Sequence, residues 1–117
     1  MLGVKFYPDA EFLESFDAGL GQRIYLFGTN AAYADVLAFY KKELGTGGTE
    51  IFKIPPMQQF DLDKFQEDKM ACRPSVVVKD YAWTGMNGEL ADGYLFVAGT
   101  NQKRYRTIVQ IVPAPSR

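Results

Sequence analysis

Apolar side chains at Tyr33, Val36, Leu37, Tyr40 and Leu44 recur at steps of three and four residues, which lays them along one stripe of a helix. The spacing predicts a helix over residues 31–44. Its ends carry matching signals. Asn30 is the candidate N-cap, Asp35 sits in an early turn, Lys41 and Lys42 in the last, and Gly45 supplies the left-handed residue that stops a helix. Runs rich in β-branched and aromatic residues predict strands at 23–27, 50–54, 75–81, 94–98 and 105–112. Pro55-Pro56 ends the strand that follows the helix, and Asn87-Gly88, Asp92-Gly93 and Gly99-Thr100-Asn101 supply turns between the later ones. Two stretches read as short helical turns: 10–16, anchored by Phe12, Leu13 and Phe16, and 60–70, anchored by Leu62 and Phe65. Pro113-Ala114-Pro115 stops the last strand.

A strand, a helix and a strand followed by a three-strand meander predict an α+β fold, with one main helix packed across a four- to five-stranded, mostly antiparallel sheet. Along the final strand Tyr105, Thr107, Val109 and Ile111 alternate with Arg106, Ile108, Gln110 and Val112. The second face is therefore amphipathic, to be covered by the short segments or by a partner. A chain of 117 residues reads as one domain, 1–117, with 47% hydrophobic residues and 15% aromatics to fill its core.

Charge and composition then exclude more than they suggest. Thirteen Lys and Arg against 14 Asp and Glu give a net −1, which offers no field for drawing in nucleic acid. No apolar run approaches the roughly 20 residues of a membrane-spanning helix, and the start, Met1-Leu2-Gly3-Val4-Lys5, lacks the basic and apolar regions of a signal peptide. The lone Cys72 rules out an internal disulfide and a cysteine-based metal cluster, and it reads as a structural thiol even beside Arg73. The chain has no histidine, which removes the commonest general base, the usual partner of a nucleophilic Ser or Cys, and the most frequent transition-metal ligand. The reading leans away from catalysis, with no catalytic residue, metal site or cofactor assigned.

The acids Asp61, Asp63, Glu67 and Asp68 crowd together but fit no calcium loop, and they read as a solvated face. The loop carrying Asn87, Glu89 and Asp92 reads as an ordinary turn. Gly45-Thr46-Gly47-Gly48 follows a helix instead of opening one, so it is no phosphate cradle. The strongest positive signal is Lys103-Arg104-Tyr105-Arg106, whose cations around a tyrosine suit a carboxylate or phosphate at a strand entrance. Arg104, Tyr105 and Arg106 are the candidate ligand-binding residues, with Lys79, Tyr81 and Trp83 as an added stacking surface. The same cations also suit the guarding of a sheet edge against stray strands. Asp80 beside Tyr81 is the candidate base should the chain be an enzyme acting on an anionic substrate.

Several segments together resemble a group of uncharacterised small bacterial proteins that often carry an export leader. They are Phe6-Tyr7-Pro8-Asp9-Ala10, Tyr25-Leu26-Phe27-Gly28-Thr29-Asn30-Ala31, the helical positions Val36, Phe39, Tyr40 and Leu44, Pro74-Ser75-Val76-Val77-Val78-Lys79-Asp80-Tyr81, and Arg104-Tyr105-Arg106 running into Thr107-Ile108-Val109-Gln110-Ile111-Val112-Pro113. The group usually has glycine where Asp9 stands. The resemblance implies a periplasmic or extracytoplasmic setting if a leader has been removed, and it implies no activity. The expectation is a non-catalytic binding or structural module of the cell envelope that takes a protein partner or a small anionic ligand. The alternatives are a carboxylate- or tyrosine-dependent enzyme and a homodimer formed by pairing residues 105–112 with their copy.

Overall fold

A computed structural model describes residues 5–45, 47–51, 56–62, 74–85, 87–88 and 90–113. Within them the chain runs β1 (Glu11–Gly19), β2 (Gln22–Thr29), α1 (Tyr33–Leu44), β3 (Thr49–Ile51), β4 (Met57–Asp61), β5 (Ser75–Asp80), β6 (Tyr94–Ala98), β7 (Asn101–Tyr105) and β8 (Thr107–Val112). Six strands form one sheet in the order β1-β2-β8-β5-β4-β3, and β6 and β7 pair separately as a two-stranded ribbon. Every ladder is antiparallel. The fold is α+β with a single helix among the described residues, mostly β, and its main sheet has six strands where four or five were expected.

Register explains the core. Phe27 on β2 faces Val109 on β8, which faces Val78 on β5. One row along, Tyr25 faces Ile111, then Val76, then Phe60 on β4. Period-two alternation puts both rows on one sheet face, and α1 lays Val36 and Tyr40 across them. Each fully buried Val, Ile or Phe side chain stabilises the fold by roughly 2 kcal/mol relative to an exposed one. The other face is also substantially covered, since Val77, Ile108 and Val112 are buried.

The helix begins two residues later than its apolar period suggested. Ala32, not Asn30, is the N-cap, in extended geometry and without a side-chain cap bond. The preceding turn is held by threonines instead: the Ala31 N–H donates to Thr29 Oγ1 at 3.1 Å, and Thr107 Oγ1 donates to the Ala31 carbonyl at 2.9 Å. At the other end Gly45 takes the left-handed conformation, φ 66°, as expected of a glycine stop.

Residues 10–16 are not a helical turn but the opening of β1. The four-residue spacing of Phe12 and Phe16 imitates a helix. The turn at Gly19, Leu20 and Gly21, all with positive φ, folds the segment back on β2 instead. A bulge between Phe12 and Glu14 then sends the two rings to opposite faces, Phe12 beside Phe27 and Phe16 beside Ile24. Phe60 and Asp61, the start of the second supposed turn, belong to β4, and the rest of that turn lies outside the described residues. The strand read at 50–54 is β3, and its 52–54 portion falls outside them too.

The meander is overturned. Residues 105–112 split at Arg106: Tyr105 closes β7, while Thr107 opens β8, which lies between β2 and β5. Both sides of β8 are hydrogen-bonded within the chain, so the homodimer imagined through that strand has no free edge to use. No helix among the described residues is long and apolar enough to cross a membrane.

Candidate functional site

The β6–β7 ribbon carries the basic run, and its register sorts the side chains. Leu95 faces Arg104 and Val97 faces Gln102, so these four share one ribbon face, while Tyr94, Phe96, Lys103 and Tyr105 share the other. Arg104 and Arg106 are exposed, and neither pairs with a carboxylate among the described residues. Leu95 and Val97 are exposed as well, at 43% and 52%.

Tyr105 plays a different part from the one expected of it. Its residue is 4% exposed, its ring lies over Gly28 of β2, and its hydroxyl donates to Glu11 Oε2 at 2.5 Å. A Cβ on Gly28 would meet the ring's Cγ at 2.5 Å, so only glycine leaves room for this approach. Lys103 donates to both oxygens of the same carboxylate, at 2.8 and 2.9 Å, and its Nζ sits 5.9 Å from the Tyr105 ring centre. Glu11 thereby ties the start of β1 to the ribbon across more than ninety residues of sequence.

The Lys103 and Tyr105 hydrogen bonds hold the Glu11 carboxyl below the ordinary carboxylate range. Burial, reinforced by that carboxylate, pushes the Tyr105 phenol up to about 12. Because the folded state lowers the Glu11 pKa, the tie contributes stability above the ordinary carboxylate range and loses it as pH falls through the lowered value. Thermal melts of Glu11→Gln are therefore expected to lie below those of the natural chain at neutral pH and to converge with them in acid. Parallel profiles for the two proteins would contradict the tie.

Around these groups lies a shallow cleft of about 420 Å³, lined by Asp9, Glu11, Thr29, Asn30, Ala31, Lys103 and Tyr105. Most of its polar groups are spent on one another through the bonds already described. Asp9 and Asn30 stand exposed on its rim.

The other expected site residues are dispersed. Lys79, on β5, donates from Nζ to Gln110 Oε1 at 3.2 Å, and burial lowers its pKa. That bond directs its charge toward a residue four places along β8 from Arg106, about 13 Å in a strand. Tyr81 is brought to the ribbon. Its N–H donates to the Arg106 carbonyl at 2.9 Å, its carbonyl accepts from Gly93 at 2.8 Å, and its ring meets Tyr94 edge to face with centres 5.2 Å apart. Burial, then Tyr94, raises its phenol pKa. Trp83 is half-buried and anchors its own loop, accepting from the Ala91 N–H. Asp80, the candidate base, accepts from the Ala82 N–H at 2.9 Å and so braces a turn.

Asp61 is exposed and accepts from Gln59 Nε2. Asp63, Glu67, Asp68, Cys72, Arg73 and Glu89 lie outside the described residues. Among the described residues no group of His, Cys, Asp and Glu is placed to hold a metal ion. Sequence reasoning missed Glu11, which carries no local signal, and the exposed pair Leu95 and Val97. It also passed over Gly28, although a glycine inside a strand pattern marks a close approach. No family model matches this chain, and neither the curated proteins nor the solved structures compared with it give a match.

Proposed function

We propose that the chain is a non-catalytic binding or structural module of the bacterial envelope, and that it takes an acidic, partly apolar protein segment along the Leu95/Val97/Arg104 face of the ribbon. One observation carries the reading: Arg104, without an ion pair among the described residues, shares a face with two exposed apolar side chains, and Arg106, likewise without one among them, follows at the bend. Edge protection accounts for the cations alone. It does not account for Leu95 and Val97 standing exposed beside them. The envelope setting rests on the resemblance of the helix and strand patterns.

Chemistry in the cleft is disfavoured by its own electrostatics. A general acid or base works best with a pKa near the operating pH. Glu11 is held below its ordinary value and Tyr105 is raised to about 12, so both are driven away from neutrality.

The test uses a synthetic peptide that alternates Glu with Leu. Its addition is expected to shift the backbone amide resonances of Leu95, Val97, Gln102 and Arg104. In Arg104→Ala/Arg106→Ala the shifts should be lost while the melting temperature stays nearly unchanged, since both side chains are exposed and make no ion pair among the described residues. Undiminished shifts in that variant would remove the site.

A further inference from the structure

The net charge of −1 conceals a separation along the chain. Strand β1 carries Glu11, Glu14 and Asp17 and no base, whereas residues 94–106 carry Lys103, Arg104 and Arg106 and no acid. Four of the exposed apolar side chains fall on the same two elements. Phe16 and Leu20 project from the first hairpin, at 43% and 62% exposure, and Leu95 and Val97 from the ribbon. Register places Glu14 and Phe16 on one sheet face, next to half-buried Leu26 and Ile24 of β2. One contact already joins the two charge sets within the molecule, Lys103 to Glu11. After it, Glu14, Arg104 and Arg106 remain without an ion pair among the described residues, while Asp17 lies on the other sheet face, opposite Arg23.

We propose that these surfaces bind each other between molecules. The β1–β2 hairpin of one copy docks on the ribbon face of a second, head to tail, with Phe16 and Leu20 against Leu95 and Val97 and with Glu14 facing Arg104 and Arg106. This rests on the reading of the ribbon as a binding face and names its partner as another copy of the chain. The contact is not satisfied within one molecule. Lys103 anchors the ribbon at Glu11, whereas Leu20 lies nine residues further along, about 30 Å in an extended strand. Because the two surfaces differ, the contact is heterologous and repeats until it closes in a ring or continues as an open chain. Its charge complementarity makes it sensitive to salt.

Sedimentation velocity of the natural chain, taken up to millimolar concentration at low ionic strength, is expected to show a sedimentation coefficient that rises with concentration and falls back in high salt. Two charge variants sharpen the test. Glu14→Lys reverses the charge on the Phe16 face of the hairpin and leaves Asp17, which accepts from the Gly19 N–H at 2.9 Å, in place. Arg104→Glu/Arg106→Glu reverses the basic surface. Each variant alone should sediment as a folded monomer, and an equimolar mixture should associate again, because the natural hairpin of one variant then meets the natural ribbon of the other and Glu14→Lys meets Arg104→Glu. A natural chain that stays monomeric, variants that still associate alone, or a mixture that does not would each overturn the proposal. If the natural chain is monomeric but the Glu/Leu peptide still shifts Leu95 and Val97 through the arginines, the ribbon reading survives and only the second copy is wrong. Failure of both removes the ribbon face altogether.

Discussion

Gly28→Ala is expected to destabilise the protein by about 2–3 kcal/mol, the cost of forcing extra volume into a packed contact. The new Cβ would lie 2.5 Å from Tyr105 Cγ and 2.7 and 2.8 Å from the two Cδ atoms, and Cγ is the ring atom with least freedom to retreat. Tyr105 is also pinned at its far end by Glu11, so the ring cannot swing aside without breaking that bond. Urea denaturation measures the loss. The cause is separable, because in a Tyr105→Ala background the same glycine substitution should cost little, a coupling that a double-mutant cycle reads directly. A neutral Gly28→Ala in the natural chain would contradict the ring-on-glycine packing.

A larger loss is expected at the helix. Tyr40 is 1% exposed, meets Phe39 edge to face with centres 5.0 Å apart, and sits 6.4 Å from the Phe60 ring over the middle of the sheet. Its hydroxyl oxygen accepts from the Tyr7 N–H at 3.2 Å, which fastens the N-terminal segment to α1. Tyr40→Ala should cost about 4 kcal/mol, the usual scale for emptying a buried aromatic site. Tyr40→Phe keeps the ring and strands one backbone donor, for about 1 kcal/mol. Burial pushes this phenol up to about 12. Its contribution is therefore complete below the ordinary tyrosine value and lost as pH climbs through about 12. Chemical unfolding of both variants, with the natural chain carried into strong alkali, checks the size of the effect and its sign.

Tyr40 also shows why part of this fold was legible in the sequence. Helix α1 announced itself because an amphipathic period and a glycine stop are local properties, and Val36 and Tyr40 did prove to be its buried residues. The Val-rich β5 and the alternation of β8 were legible for the same reason. Pairing was not, since which strands meet depends on contacts far apart in sequence, and a meander is only the simplest arrangement. Arg106 hid a break inside a continuous β-like run, leaving β7 and β8 in different sheets. At the candidate site the basic run pointed to the correct stretch, but it could not separate Arg104, which faces solvent, from Tyr105, which is buried by Gly28 and Glu11. Two-residue alternation alone did not reveal that Lys103 and Tyr105 would share one carboxylate with Glu11.

The place of β8 has a consequence for biosynthesis. The strand that joins the β1–β2 hairpin to β5, β4 and β3 is the last of the described strands to leave the ribosome. Until it emerges, both halves of the sheet lack the neighbour that unites them, and Phe27 and Val78 lack Val109 between them. Native assembly therefore waits for translation to reach Val112, and a nascent chain stalled before Thr107 holds its largest apolar rows apart and open to chaperones.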